Sequence, residues 1–309
     1  MKRKHAEWDI KEVFDEHRIP NVDITRNVME KIYGDAKEKR GSFVKDKVSI
    51  AMCLGLLLIG TTGFAAMKAY QLKNEEGRVI YQEKDAAEAG VPVKSPDEET
   101  QAFLGQMTEI EEQLQPGTAV AVYLKEHNPK KRVVTLSKPF VYRDLPSLQK
   151  KLGNRLNVQA ELPGGFVFDE ASVAYEVKRE YQKEELYALA EKSKTNYVAK
   201  SLSFTDSLQA MEITYRKGDD LFLVKVTPFD DVANHTLYQA GMDHRKTEKI
   251  KLKNTEALYF EEAGDDGVVR GIRWVQTVQG SQWLFMVETR ARQSNKDGMI
   301  NVMEALLGN

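Results

Sequence analysis

VSIAMCLGLLLIGTTGFAAM occupies residues 48–67, an unbroken run without a single charged side chain. At about 1.5 Å per residue, a helix of this length covers about 30 Å, the hydrocarbon thickness of a bilayer. Lys45, Asp46 and Lys47 stand just before the run, and Lys68 just after it. Asp or Lys at the centre of a membrane helix costs roughly 2.5–3.5 kcal/mol, so the bracketing charges mark where the run must end. A helix of a globular core carries one apolar stripe, whereas this one is apolar on every face. A secretory leader has a short n-region, whereas a long polar segment precedes this run. The sequence therefore predicts a single transmembrane helix over residues 48–67.

Working outward, Lys37, Lys39, Arg40, Lys45 and Lys47 crowd the N-terminal flank, while Lys68, Lys73 and Arg78 are sparser beyond it. Positive charge is retained on the cytoplasmic side, which places residues 1–47 in the cytoplasm and residues 68–309 outside the cell membrane. Small residues spaced four apart (Ala51 with Gly55, Thr61 with Ala65, Thr62 with Ala66) let two such helices approach closely, so the span permits a homodimer. The one cysteine, Cys53, lies inside the run, which excludes a disulfide within the chain and any Cys-based metal site outside the bilayer. With a formal net charge of -2, the chain has no global field that would draw it directly to nucleic acid.

The tail of residues 1–47 carries two amphipathic segments. Ile10, Val13, Phe14 and His17 fall at i, i+3, i+4 and i+7, and Pro20 ends that stripe. After Asp23 or Thr25 as a cap, Val28, Met29 and Ile32 line one face of a second helix. Helices of three or four turns are marginal alone in water. Ile10, Val13, Phe14, Val28, Met29 and Ile32 are therefore the candidate partner-binding residues, docking on a cytoplasmic protein. The alternative is that the two stripes pack on each other or lie on the lipid surface.

Residues 68–96 read as a linker that pairs locally, with a candidate strand at 79–81. Ser95-Pro96-Asp97-Glu98 then starts a helix with Phe103, Met107, Ile110 and Leu114 on one face. Segments 118–124 and 132–142 read as strands around a polar tip. Short helices are expected near 145–152 and 184–194, and a strand over 172–178. Met211, Ile213 and Tyr215 alternate with polar residues up to Lys217-Gly218-Asp219-Asp220, and Phe222, Val224 and Val226 follow, a hairpin pattern. A second meander and a closing helix through Met299, Val302, Met303 and Leu306 complete the chain. The expected fold class is α+β: a short helical tail, the transmembrane helix, and an outer domain over 97–309 with a twisted antiparallel sheet and packed helices.

Val22-Asp23-Ile24-Thr25-Arg26-Asn27-Val28-Met29-Glu30-Lys31-Ile32, placed just before one span, resembles the tail of membrane-bound sigma-factor regulators of Gram-positive spore-formers. The outer part resembles an envelope domain that follows such tails, through Leu162-Pro163-Gly164-Gly165-Phe166, residues 211–215 before Lys217-Gly218-Asp219, Thr255-Glu256-Ala257-Leu258-Tyr259, Trp274, Trp283 and the closing helix. The resemblance implies an anti-sigma-like protein that binds a cytoplasmic sigma factor and reports on the envelope. The His-Cys-Cys zinc site of many anti-sigma factors is missing, which implies a zinc-free type.

No catalytic, metal-binding or cofactor-binding residues are legible. His5, His17, His127, His235 and His244 are scattered without an HExxH pair, and neither a Walker loop, a dinucleotide fingerprint nor a GxSxG occurs. The expectation is a regulatory protein and not an enzyme, with no cofactor. The competing expectation is an outer binding module for lipid, peptide or wall polymer that the span merely anchors.

Overall fold

Strands dominate the described residues. The computed structural model describes residues 69–73, 77–86, 88–90, 97–229, 235–239, 245–264, 267–291 and 294–308. The first half runs β1 (Ala69–Lys73), β2 (Val79–Asp85), α1 (Glu98–Gln113), β3 (Ala119–Leu124), β4 (Val133–Ser137), β5 (Phe140–Tyr142), α2 (Leu145–Leu152), β6 (Glu161–Leu162) and β7 (Phe166–Val177). Next come α3 (Lys183–Lys192), β8 (Tyr197–Leu202), β9 (Phe204–Lys217), β10 (Asp220–Phe229), β11 (His235–Gln239) and β12 (Arg245–Leu252). The chain closes with β13 (Thr255–Gly264), β14 (Gly267–Val278), β15 (Ser281–Thr289) and α4 (Lys296–Leu307).

A nine-stranded sheet in the order β12-β13-β14-β15-β10-β9-β7-β5, with β6 also on β7, forms the body. Its pairings are antiparallel throughout. Period-2 alternation decides its inner face. Met211, Ile213 and Tyr215 on β9, Phe222, Val224 and Val226 on β10, and Trp283, Phe285 and Val287 on β15 enter one apolar core. Leu148 and Leu152 of α2 and Met299, Val302, Met303 and Leu306 of α4 fill that core from the helical side. Asn295 caps α4, its Oδ1 accepting from the Gly298 N–H at 2.9 Å. Trp274 is fully buried and stacks on Phe285, ring centroids 5.1 Å apart.

A three-stranded sheet, β4-β3-β8, is a separate unit of packing. Ala121 on β3 meets Leu186 and Ala190 of α3, and α1 buries Phe103, Met107 and Ile110. The tip between β3 and β4 is held by Asn128, whose Nδ2 donates to the Leu124 and Arg132 carbonyls while its Oδ1 accepts from the Arg132 N–H. A third sheet, β1-β2-β11, pairs β1 antiparallel and β11 parallel to β2.

The expected α+β class is corrected here. The described residues are 52% strand and 22% helical, with four helices, so the fold is mostly β-sheet. The strands run further than alternation alone marks them. β9 extends back through Phe204-Thr205-Asp206-Ser207, where polar residues stand on both faces and give no period-2 signal. Pairing with β7, with register shifts near Ala174 and Tyr175, imposes the strand there. The expected membrane-spanning helix is not an element of this fold either: among the described residues no helix is long and apolar enough to cross a membrane. The described helices carry charged residues, as α1 does with the exposed Glu98, Glu99 and Glu112 and the half-buried Glu109 and Glu111. Residues 48–67 and the tail of residues 1–47 lie outside the described residues.

Candidate functional site

Along β2, Tyr81, Glu83 and Asp85 are buried and the residues between them are half-buried, so one parity of the strand faces inward. An alternating strand normally turns apolar side chains inward, yet Glu83 has no exposure at all. What it meets comes from the outer face of the large sheet. Leu72 of β1 and Tyr81 of β2 pack on Leu258 of β13, with Val275 and Leu284 beside them. The small β1-β2-β11 sheet therefore lies over β13–β15, opposite the helix-filled core.

Two arginines close on Glu83. The Arg245 Nη1 of β12 stands 3.2 Å from the Glu83 Oε2. The Arg273 Nη1 of β14 donates to the Glu83 Oε1 in a tight ion pair, and the Tyr81 hydroxyl donates to the same oxygen at 2.8 Å. Arg273 also reaches the Tyr81 oxygen at 3.2 Å. Both guanidiniums lie against the Phe260 ring, at 3.7 Å for Arg245 and 4.8 Å for Arg273. Phe260 can lie flat there because Gly271, opposite it on β14, has no Cβ. One built at that position would sit 2.1 Å from the ring.

The electrostatics of this clamp are those of charge removed from water. Burial raises the Tyr81 hydroxyl far above its ordinary range, with the Arg273 charge opposing. Burial lowers the Arg245 guanidinium, and Glu83 partly restores it. At Arg273 burial also acts to lower the group, but Tyr81 and Glu83 outweigh it and the net shift is upward. One carboxylate faces two cations, so all three groups depend on one another. Removing one partner of such a buried set costs about 3–5 kcal/mol, whereas replacing the whole set by apolar residues is often neutral or stabilising. A slip in register between the two sheets would leave these charges buried and unpaired, so the set penalises other placements of the small sheet.

A second tether lies at the end of β1. The Lys73 N–H donates to the Glu256 Oε2 on β13 at 2.8 Å, and Lys249 meets the same oxygen at 2.7 Å. Burial acts to raise Glu256, yet the bonds from Lys249 and Lys73 hold its carboxyl below the usual range.

At another end of the large sheet a cleft of about 520 Å³ is lined by Arg155, Asp206, Ser207, Leu208, Gln282 and Trp283, among others. The β14–β15 turn on its rim has positive φ at both Gln279 and Gly280, as the type I′ two-residue hairpin turn requires. The Gln279 side chain is bonded to the Asn154 carbonyl, which ties that turn to the loop after α2. One strand serves both places. β14 carries Arg273 in the clamp and Thr277 at the cleft, about 14 Å apart at about 3.4 Å per residue.

No family model, curated protein or solved structure matches this chain. The resemblance to sigma-factor regulators rests on the quoted motifs. The candidate partner-binding residues Ile10, Val13, Phe14, Val28, Met29 and Ile32 all lie outside the described residues. Among the described residues, no group of three or more His, Cys, Asp or Glu side chains could hold a metal ion. Trp274 and Trp283, flagged in the sequence, both lie in the core.

Sequence reasoning missed the clamp. Its one signal is a charge inside an apolar pattern: Arg273 between Ile272 and Trp274, and Glu83 on the parity of Tyr81. Neither names its partner, since Glu83 and Arg273 are 190 residues apart in the chain.

Proposed function

We propose that this chain is a membrane-associated regulatory protein whose β-rich domain senses conditions outside the cell and whose N-terminal tail binds a cytoplasmic protein, a sigma factor by the resemblance. The apolar run of residues 48–67 lies between that tail and the β-rich domain in the sequence. The observation that carries the reading is one of continuity. β1 begins two residues after the run ends, and the sheet that β1 enters is locked to the large sheet by a buried ionic cluster. A buried charge set with one acid and two bases favours a single register of the two sheets, and any change that loosens it alters how β1, the strand that follows the apolar run in sequence, is held. The tail would act by burying Ile10, Val13, Phe14, Val28, Met29 and Ile32 on its partner.

The test is an affinity capture of tagged full-length protein from native membranes, with residues 1–47 present or deleted, read by mass spectrometry. A sigma factor recovered only with the tail supports the reading. Recovery of the same proteins with and without the tail contradicts it.

A further inference from the structure

We infer that the cleft lined by Arg155, Asp206, Gln282 and Trp283 binds a neutral, hydroxyl-rich ligand of the oligosaccharide class. The inference goes beyond the regulatory reading and does not require it. At about 520 Å³ the cleft falls within the range of small-ligand sites, roughly 300–1,000 Å³. Its charged groups balance, one arginine against one aspartate, so it has no excess charge for an anion such as a phosphate. The Arg155 Nη1 donates to the Asp206 main-chain oxygen at 2.8 Å, which fixes the guanidinium at the rim.

The remaining polar lining consists of hydroxyls from Ser207, Thr277 and Ser281 and the amide of Gln282. Each of these both donates and accepts, as every sugar hydroxyl does. Beneath them Trp283 is only 6% exposed, and its Nε1–H has no hydrogen-bond partner among the described residues. A buried donor left unmade is unfavourable, and an acceptor on a ligand would relieve it.

Two other ligand classes fit less well. Leu208, Pro228 and Trp283 give too little apolar lining for a lipid chain. An extended peptide docks by adding a strand to an unpaired edge, but β14, β15, β10 and β9 are consecutive inner strands whose edges are already bonded to each other.

The experiment is calorimetric titration of the purified full-length chain with a panel of neutral oligosaccharides built from glucose, galactose and N-acetylglucosamine, with tetra-alanine as the peptide probe. Saturable binding of at least one sugar is expected. Asp206→Ala and Gln282→Ala should each weaken it about tenfold, the worth of one or two hydrogen bonds, without lowering the melting temperature. Trp283→Phe, which removes the N–H and keeps a ring, should weaken it as well. Absence of saturation across the panel overturns the inference, as does sugar binding that ignores all three substitutions. Saturation by tetra-alanine alone overturns the ligand class in favour of peptide.

Discussion

Beneath α2 and α4 the inner face of the nine-stranded sheet is filled with interlocking apolar side chains, Trp274, Phe285, Met299 and Met303 among them. The outer face, where β1-β2-β11 lies, has a small apolar contact around Leu72, Tyr81 and Leu258 and then three buried charges. Apolar packing is tolerant: it rewards any close fit of roughly the right volume. A buried carboxylate between two guanidiniums is not, because a shift of one residue in register would strand all three. The inner face makes the domain stable, and the outer face makes one placement of the small sheet unique.

The largest effect should separate the faces directly. Glu83→Ala, which leaves two arginines buried, is expected to cost about 3–5 kcal/mol. Trp274→Ala on the inner face should cost a similar amount, about 3–5 kcal/mol, by opening a cavity. Denaturant unfolding of both variants measures the totals. The comparison is sharpened by the triple replacement Glu83→Leu, Arg245→Met and Arg273→Met, which should recover most of the loss, because an apolar set of similar volume is often as stable as the charged one. If the triple variant is as unstable as Glu83→Ala, the charges contribute net stability and the contrast between faces fails.

Smaller effects follow. Gly271→Ala should lose about 1–3 kcal/mol as the new methyl displaces the Phe260 ring and, with it, the seat of both guanidiniums. A thermal melt of that variant against Phe260→Leu/Gly271→Ala, which removes the clash, checks the cause. At α4, Asn295→Ala should cost about 1 kcal/mol through its lost cap, with no effect on the small sheet.

The smallest effect is one of pH. Glu256 is held below the ordinary carboxylate range when folded, so its contribution is fully present above its unfolded pKa and is lost as pH falls through the lower, folded one. Stability of the β1 end should therefore decline only in that acidic window. Glu256→Gln should flatten the decline, as read by denaturant midpoints across the acid range.

Some of this was legible in the sequence. The hairpin of β9 and β10 is visible because Met211, Ile213 and Tyr215 alternate cleanly and Gly218 can take the positive φ of the turn. Closing helix α4 is visible from the spacing of Met299, Val302, Met303 and Leu306. The small sheet was only partly visible. Residues 79–81 read as a strand, but β11 lies about 150 residues beyond its parallel partner β2, as the bond from the Gln82 Nε2 to the Thr236 Oγ1 shows. The clamp was invisible for the same reason. A carboxylate in a strand does not say whether water or an arginine faces it, and the cleft is assembled from strand ends and loops that share no local motif.

Native-state amide hydrogen exchange on the full-length chain, wild type against Glu83→Gln, reads strand by strand how far the buried carboxylate holds the small sheet in place. The ionic clamp as the lock of the small sheet predicts a local loss of protection. Residues 69–73, 79–85 and 235–239 should exchange faster, while β9, β10 and β15 keep their wild-type rates. Uniform acceleration across the large sheet, or no change in β1 and β2, would contradict it.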